Sequence, residues 1–271
     1  VLASGTNSAD ALAASSLATS KSAPILLTKR NEIGKNVFDE IKRLNANNVI
    51  VVGGKVSISE KVVSDLKDKN ITVKRLAGDN RYETSYEIAK ELLKSNKAKE
   101  AIIVNGFKNV DALSVSSLAT KENLPILLND GNRLSKDIKN IVEDSNIKKM
   151  YIIGGKTSLP RRIEDNIKAL DVEYERLAGE DRYETSSKIA KYAYENSDKV
   201  ILASGENSID ALAAGVLTKM EKAPMLLVQK RRIPKSISNR IEESKAKKSL
   251  LIGGEKTISD RVKDKVEGLL K

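Results

Sequence analysis

A repeat of about 100 residues is the feature that most constrains the fold of this 271-residue chain. Three motifs recur in the same order, with a separation of 101 residues and then of 99 residues. They are Asp-Ala-Leu at Asp10, Asp111 and Asp210, Pro-x-Leu-Leu at Pro24, Pro125 and Pro224, and Gly-Gly at Gly53, Gly154 and Gly253. Motifs in a fixed order at one period indicate homologous units that share one structure.

A fourth motif sets the predicted boundaries of the units. Arg-Leu-Ala-Gly, followed by Arg-Tyr-Glu-Thr-Ser, begins at Arg75 and again at Arg176. If each unit opens with this motif, the units are residues 1–74, 75–173 and 174–271. We then expect the first unit to lack its opening helix.

The pattern within one unit predicts an alternation of strands and helices. In the middle unit, short apolar runs at 101–106, 125–128 and 150–155 predict buried strands, and 172–177 predicts a fourth strand. Helical patterns lie between them, at 82–94, 111–120, 135–145 and 158–170. This alternation predicts an α/β fold of three tandem Rossmann-like units, each a parallel sheet flanked by helices. Three equal units could pack as a pseudo-threefold triangle or form a linear array.

Composition limits the chemistry that the chain can perform. It contains no Cys and no His, so disulfides, thiolate catalysis and metal sites built on Cys or His are excluded. We expect no catalytic residue, no metal site and no cofactor. No apolar run is long enough to span a membrane. The net charge of +11 favours a polyanionic partner, which could be nucleic acid, an anionic membrane or an anionic polysaccharide.

Several repeated positions have both a chemical and a structural interpretation. The Gly-Gly turns could hold phosphate, but a tight turn with positive φ explains them equally simply. The repeated Asp could be catalytic, although an Asp at this position more often caps the following helix or complements its dipole. Arg and Tyr together can stabilise an oxyanion, or they can order the structure between units. We expect structural roles for Asp10, Asp111, Asp210, Arg81, Arg182, Gly53, Gly154 and Gly253.

The loop after each Pro-x-Leu-Leu strand is the more interesting candidate. It carries basic residues at the carboxyl edge of a predicted parallel sheet, where α/β folds bind ligands. These residues are Lys29 and Arg30 in the first unit, Arg133 in the second, and Lys230, Arg231 and Arg232 in the third. They could hold phosphate or carboxylate groups, or they could simply be solvated. The third unit has the highest net charge, +5, and is favoured as the main polyanion contact.

Together these motifs resemble the clostridial cell-wall-binding repeat, type 2. The similarity rests on Arg-Leu-Ala-Gly-x-x-Arg-Tyr-Glu-Thr-Ser at 75–85 and 176–186, and on Ser-Gly-x-x-x-x-Asp-Ala-Leu at 4–12 and 204–212. Pro-Ile-Leu-Leu and the Gly-Gly strand end complete it. The family occurs as three tandem copies on surface-layer and other cell-wall proteins of Gram-positive bacteria. The resemblance implies three Rossmann-like lobes in a triangle and a secreted protein located at the cell surface.

The resemblance also implies a function and a set of site residues. It implies non-covalent anchoring to an anionic secondary cell-wall polysaccharide, with other surface-layer proteins as further partners. The strand associated with the polymer corresponds to Ile25, Leu26, Leu27, Ile126, Leu127, Leu128, Met225, Leu226 and Leu227. Catalysis would belong to an effector domain outside this chain. Two alternatives stay open, an enzyme acting on wall glycan or a nucleotide-sugar, and a nucleic-acid-binding protein.

Overall fold

The computed structural model describes residues 1–107 and 111–270, apart from the side chains of residues 111 and 112. The first unit comprises β1 (Leu2–Ser4), α1 (Ser8–Ala13), α2 (Ser15–Ser20), β2 (Leu26–Thr28), α3 (Lys35–Arg43), β3 (Asn48–Val52), α4 (Glu60–Lys67) and β4 (Thr72–Leu76). The middle unit continues with α5 (Arg81–Ser95), β5 (Glu100–Asn105), a 3-10 helix (Asp111–Val115), α6 (Ser116–Glu122), β6 (Ile126–Asn129), α7 (Lys136–Ser145), β7 (Lys149–Ile153), α8 (Arg161–Lys168) and β8 (Glu173–Leu177). The third unit contains α9 (Arg182–Ala193), β9 (Lys199–Ser204), α10 (Ser208–Ala214), α11 (Leu217–Met220), β10 (Met225–Val228), α12 (Lys235–Ser244), β11 (Lys248–Ile252) and α13 (Asp260–Glu267).

The strands form three separate sheets, one for each unit, and all of the described ladders are parallel. The strand orders are β2-β1-β3-β4, β6-β5-β7-β8 and β10-β9-β11. This confirms the predicted α/β fold with three Rossmann-like units. The unit boundaries stay a prediction, since β4 and β8 each run across one of them. Because the strands are parallel, the carboxyl ends within each sheet meet at one edge, and the loops that follow them cluster there.

Side-chain caps begin the two longest helices. The Asn80 side chain accepts hydrogen bonds from the backbone N–H groups of Tyr82 and Glu83, and Asp181 does the same for Tyr183 and Glu184. These bonds satisfy donors that the first turn of a helix leaves free. The cap therefore fixes where the Arg-Tyr pair of each repeat enters its helix.

The predicted helix at 111–120 differs in detail. The structure forms a 3-10 turn at Asp111–Val115 before α6 begins at Ser116. The first unit divides the equivalent segment into α1 and α2, and the third divides it into α10 and α11. Tighter turns are frequent at helix ends, and the Ser and Thr hydroxyls here bond to backbone carbonyls, as Thr120 does to Ser116 at 2.8 Å.

The three units share one central core. It contains Leu17 from the first unit, Leu118 from the second and Leu202 from the third, all nearly or fully buried. Helix α1 contacts α5 and α10, and α6 contacts α2, α9 and α11, so each unit touches both of the others. A linear array would leave the first and third units apart, so these contacts confirm the predicted triangular arrangement. Separate outer cores lie beneath α3 and α4 and beneath α7 and α8.

Serine side chains protect the outer edges of two sheets. The backbone N–H of Leu128 in edge strand β6 donates to Ser85 Oγ of α5 at 3.0 Å. In the third unit Leu227 donates to Ser186 Oγ of α9 at 3.2 Å. Both serines belong to the repeated Arg-Tyr-Glu-Thr-Ser motif, whose helix lies along the edge strand. In the part of the chain that the structure describes, no helix is long and apolar enough to cross a membrane.

Candidate functional site

The clearest cavity at a carboxyl edge lies in the third unit. It has a volume of about 430 Å³ and is lined by Glu206, Gln229, Lys230, Arg231, Arg232 and Arg261. Glu206 follows β9, the four consecutive residues follow β10, and Arg261 lies in the first turn of α13. The structure therefore brings together the three basic residues predicted for this unit. We refer to these six residues as the cationic cavity.

Backbone hydrogen bonds hold the loop of the cationic cavity in place. Gln229 N donates to Arg232 O at 3.2 Å, which closes the turn. Lys230 N donates to Glu206 Oε2 at 3.0 Å, and Lys230 O accepts from Ser259 N at 3.0 Å. Strand β9 and helix α13 thus fix the loop from two sides while its basic side chains stay exposed.

The electrostatics of the cavity favour an anion. Four basic side chains surround it and Glu206 is the only carboxylate in its lining. Among the described residues, none of the four basic groups makes an ion pair with a carboxylate. The Arg232 Nε atom donates to the Gln229 side chain instead. Guanidinium groups present several donors in a planar fork that matches oxyanions, so this arrangement can bind phosphate, sulfate or carboxylate groups.

Arg261 also lines the cationic cavity, although it is not among the residues predicted from the motifs. The repeat contained the signal, because Lys61, Arg162 and Arg261 are separated by the same 101 and 99 residues as the recognised motifs. Each lies in the first turn of the last helix of its unit, beside the loop in question. A basic side chain in this register is therefore common to all three units.

Two of the basic residues at the loop of the first unit form ion pairs with nearby carboxylates. Lys29 forms an ion pair with Glu32 at 2.5 Å, and Lys61 forms one with Asp65 at 2.7 Å. Arg30 is exposed, and its carbonyl accepts a hydrogen bond from Ser59 N at 2.8 Å. Lys29 and Arg30 thus lie where they were predicted, but fewer of the charges around them are available to a ligand.

The loop of the middle unit has a different chemistry. Asp130 Oδ1 accepts from Asn132 N at 2.7 Å, and Asn132 Oδ1 accepts from Arg162 Nη2 at 2.8 Å. Gly131 has a φ of +85°, and a side chain there would meet Ser158 O at 2.8 Å. Arg133 is exposed and is the basic residue of this loop. The three loops are therefore equivalent in position but unequal in charge.

The apolar residues predicted to contact the polymer lie mainly in the core. Ile126, Leu127, Leu128, Met225, Leu226 and Leu227 are at most 1% exposed, Ile25 is 4% exposed, and Leu26 and Leu27 are half-buried. The seven buried side chains cannot reach a ligand in this structure, whereas Leu26 and Leu27 are partly accessible. Their burial follows from parallel strands being covered on both faces, and their contribution to a site is to position the basic loop.

The repeated Asp residues are not the helix caps, but they lie in the first helical turn, where an acidic side chain complements the helix dipole. Asn7 and Asn207 are the caps, and their side chains accept from Ala9 N and Ile209 N. Asp10 and Asp210 lie in the first turn and face the Gly-Gly turn instead. Thr257 Oγ1 donates to Asp210 Oδ2 at 3.3 Å. Burial raises the pKa of Asp10, while a hydrogen bond from Ser57 and the Arg81 charge act in the opposite direction. The side chain of Asp111 lies outside the described residues.

The repeated Gly and Arg residues have structural roles. Gly53, Gly154 and Gly253 have φ values of +110°, +97° and +130°, as tight strand exits require. Arg81 Nη1 donates to Gly106 O at 2.8 Å, and Arg182 Nη1 donates to Gly205 O at 2.6 Å. These bonds tie the first turns of α5 and α9 to the loops after β5 and β9. No group of acidic side chains in the described ranges is arranged to hold a metal ion.

Comparisons with known proteins agree with this architecture. A family model described as cell wall binding domain 2 (CWB2) matches residues 1–63, 75–164 and 176–263. The solved structures of Cwp6 and Cwp8 from Clostridium difficile superpose over 100% of this chain, with TM-scores of 0.94 and 0.89 and identities of 31% and 29%. The chain covers 43% and 47% of those two chains, respectively.

Two curated proteins of Bacillus subtilis (strain 168) are also similar. N-acetylmuramoyl-L-alanine amidase LytC is 26% identical over 98% of this chain, and the protein named Amidase enhancer is 30% identical over 94% of it. The matched region amounts to 52% and 34% of these relatives. The chain therefore spans about half or less of the length of each protein it matches here.

Proposed function

The chain belongs to the cell wall binding domain 2 family, and from that membership we propose that it anchors a bacterial surface protein non-covalently to an anionic cell-wall polysaccharide. The family model is that of a binding domain and matches most of the chain, so the chain is a binding module rather than an enzyme. Its place is the cell wall. We assign any catalytic activity of a longer parent protein to residues outside this chain.

The proposal that the ligand is anionic rests on the cationic cavity of the third unit. Lys230, Arg231, Arg232 and Arg261 place four positive charges around one opening, and only Glu206 opposes them. Several donors that converge on one point suit an oxyanion, and a positive field also speeds the encounter with a polyanion. The local ion pairs of the first unit, and the balance of Asp130 against Arg133 in the loop of the middle unit, make those two sites weaker anion contacts.

Charge reversal in the cavity tests this proposal. The variant Arg231→Glu/Arg232→Glu should lose at least about tenfold in affinity for purified anionic wall polysaccharide at 0.1 M salt, because it replaces attraction by repulsion. Binding is measured by isothermal calorimetry and by sedimentation with isolated walls. The wild type should weaken as salt rises, and the variant should show a shallower dependence on salt.

A matched control has the same change in charge at the opposite edge of the same sheet. Lys247 and Lys248 are exposed at the amino-terminal start of β11, away from the carboxyl edge. Lys247→Glu/Lys248→Glu should retain most of the affinity if the cavity is the site. Equal losses in the two variants would mean that only the net charge matters, and undiminished binding by the cavity variant would reject the site.

We further propose that the ligand is a polysaccharide rather than nucleic acid or a membrane, and that other surface-layer proteins are secondary partners. A duplex DNA of the same charge density is the comparison ligand for gel-shift assays. The protein should prefer the wall polymer at physiological salt. Equal affinity for DNA would indicate a general polyanion binder.

A further inference from the structure

The middle unit exposes an unusual aromatic side chain at its carboxyl edge. Phe107 is 68% exposed, although aromatic residues make up only 3% of the chain and only two of them are Phe. The other, Phe38, packs against the outer core of the first unit. Exposing a large apolar ring has a cost in water that burial would remove, so an exposed ring at a ligand-binding edge is informative.

Neighbouring groups hold the Phe107 ring. The Arg81 guanidinium carbon lies 4.9 Å from the ring centroid, and the Tyr82 ring meets it edge-on with centroids 6.1 Å apart. Arg81 is itself held by its hydrogen bond to Gly106 O at 2.8 Å, and Phe107 N donates to Asn105 Oδ1 at 2.8 Å. The ring is thus supported on one side and open to solvent on the other.

Gly106 makes this arrangement possible. A Cβ atom at this position would lie 2.8 Å from Tyr82 Cε1, which is shorter than the normal contact distance between non-bonded carbon atoms. The glycine therefore lets Tyr82 and Arg81 reach beneath the ring. The loop that follows β6 flanks the same edge, since Gly106 N donates a hydrogen bond to the backbone oxygen of Asn129, the last residue of β6, at 2.9 Å.

The repeat places Phe107 in register with a residue of the cationic cavity. Thr6, Phe107 and Glu206 are separated by 101 and 99 residues, like the recognised motifs. Glu206 lines the cationic cavity of the third unit. The same position in the middle unit presents a phenyl ring, and its neighbouring loop carries Asp130 and Asn132 where the third unit has Gln229 and Arg231. The two units thus offer different chemistry at one position.

We infer that the middle unit carries a sugar-stacking subsite, in which Phe107 packs against the C–H face of a pyranose ring of the polymer. The loop residues Asp130 and Asn132 supply an acceptor and an amide for hydroxyl groups beside the ring. This inference rests on the proposed function and adds that the two units bind different parts of the polymer. The third unit binds the charges of the polymer, and the middle unit binds its sugar rings.

Fluorine NMR tests the contact directly. Protein labelled with 4-fluorophenylalanine gives two signals, which are assigned with Phe107→Ala. On titration with purified wall polysaccharide in 0.1 M NaCl, the Phe107 signal should shift while the Phe38 signal stays constant. Glucose and N-acetylglucosamine at millimolar concentration should produce smaller shifts of the Phe107 signal in the same direction. An unmoved Phe107 signal at saturation would reject the inference while leaving polymer binding intact.

Affinity measurements supply the second test. Phe107→Ala should weaken polymer binding by about threefold to tenfold, and this ratio should be the same in 0.1 M and 0.5 M NaCl, because stacking is not screened by salt. Met220→Ala is the matched control, since Met220 is 71% exposed at the end of α11, before the amino-terminal end of β10. It should leave the affinity unchanged.

The outcomes separate this inference from the proposed function and from self-association. If the wild type binds no wall polymer, the proposed function fails and this inference fails with it. If the wild type binds and Phe107→Ala binds equally well, only the subsite is rejected. If sedimentation velocity shows that the wild type is a dimer and that Phe107→Ala is a monomer, the ring belongs to an interface between copies, and the subsite is also rejected.

Discussion

The Gly-Gly turns show how backbone conformation and neighbouring side chains together can require glycine at one position. Gly253 has a φ of +130°, and a Cβ atom there would lie 2.5 Å from Thr257 Oγ1 and 2.9 Å from Asp210 Oδ2. The next residue, Gly254, has open space around its Cβ position. Adjacent glycines in one motif therefore carry different constraints, and the repeat preserves both.

Gly253→Ala should lower the free energy of unfolding by about 1–3 kcal/mol, because alanine must adopt a disfavoured φ and displace the Thr257 hydroxyl. Gly254→Ala is the control and should change stability by less than about 0.5 kcal/mol. Urea unfolding followed by circular dichroism measures both. Equal effects of the two substitutions would contradict the assignment of the strain to Gly253.

Asp10 gives a prediction about pH. Burial raises the pKa of this carboxyl in the folded protein, so the folded state binds its proton more tightly than the unfolded chain does. Its contribution to stability is complete below the unfolded pKa of about 3.9 and is lost as pH rises through the higher folded value. Asp10→Asn should therefore gain stability relative to the wild type as the pH increases over this window.

Urea unfolding of wild type and Asp10→Asn at several pH values measures this difference. Asn keeps an oxygen that can accept the Ser57 hydrogen bond, so the geometry is preserved. Asp210→Asn is the same substitution at the more exposed equivalent position of the third unit, and it controls for the effect of the amide itself. A difference of the opposite sign for Asp10→Asn would mean that its charged partners outweigh its burial.

Among the secondary-structure elements, the first helix of the repeat has two separate tasks. In its first turn, Arg81 or Arg182 donates a hydrogen bond to the loop that follows the next strand. One turn later, Ser85 or Ser186 accepts a hydrogen bond from the backbone of the edge strand. An edge strand with free N–H groups is a site of unwanted pairing, and a covering helix removes that hazard. The Arg and the Ser of the Arg-Tyr-Glu-Thr-Ser motif are thus explained by contacts of one helix with the loop after the central strand and with the edge strand beside it.

Ser85→Ala should cost about 1–3 kcal/mol of unfolding free energy, because it leaves the buried N–H of Leu128 without a partner. Ser95→Ala in the same helix is the control. The Ser95 hydroxyl bonds only to Leu92 O within the helix, at 3.2 Å, so its loss should cost less than about 0.5 kcal/mol. Similar costs for the two variants would show that the bond to the edge strand contributes little.

In the molecule as a whole, the three units form one structure around a shared core. The contacts between the units include hydrogen bonds as well as apolar packing. Met225 N donates to Ser117 Oγ at 2.9 Å, and the Thr120 and Thr218 hydroxyl oxygens lie 2.6 Å apart. These groups are buried between the second and third units, where unpaired polar atoms would be costly. Separation of the units would expose both the apolar surface and these donors.

We therefore expect a single cooperative unfolding transition. All seven Tyr residues lie at or after position 82, so tyrosine fluorescence reports the second and third units, whereas far-UV circular dichroism reports all three. The two transitions in urea should coincide. A dichroism change that precedes the fluorescence change would show that the first unit unfolds by itself, contrary to the shared core.

The architecture could be predicted from the amino-acid sequence, because a repeat of buried strands and amphipathic helices has few ways to bury its apolar faces. The period, the strand positions and the basic loops at the carboxyl edges followed from local patterns. The burial of the Ile-Leu-Leu strand was predicted, whereas only the tertiary structure showed that Asn rather than Asp caps the helices and that Arg261 joins the cavity. The exposed Phe107 ring, held by Arg81 and Tyr82, also required it. These facts depend on contacts between segments far apart in the chain, and no local pattern states which distant side chain will fill a given space.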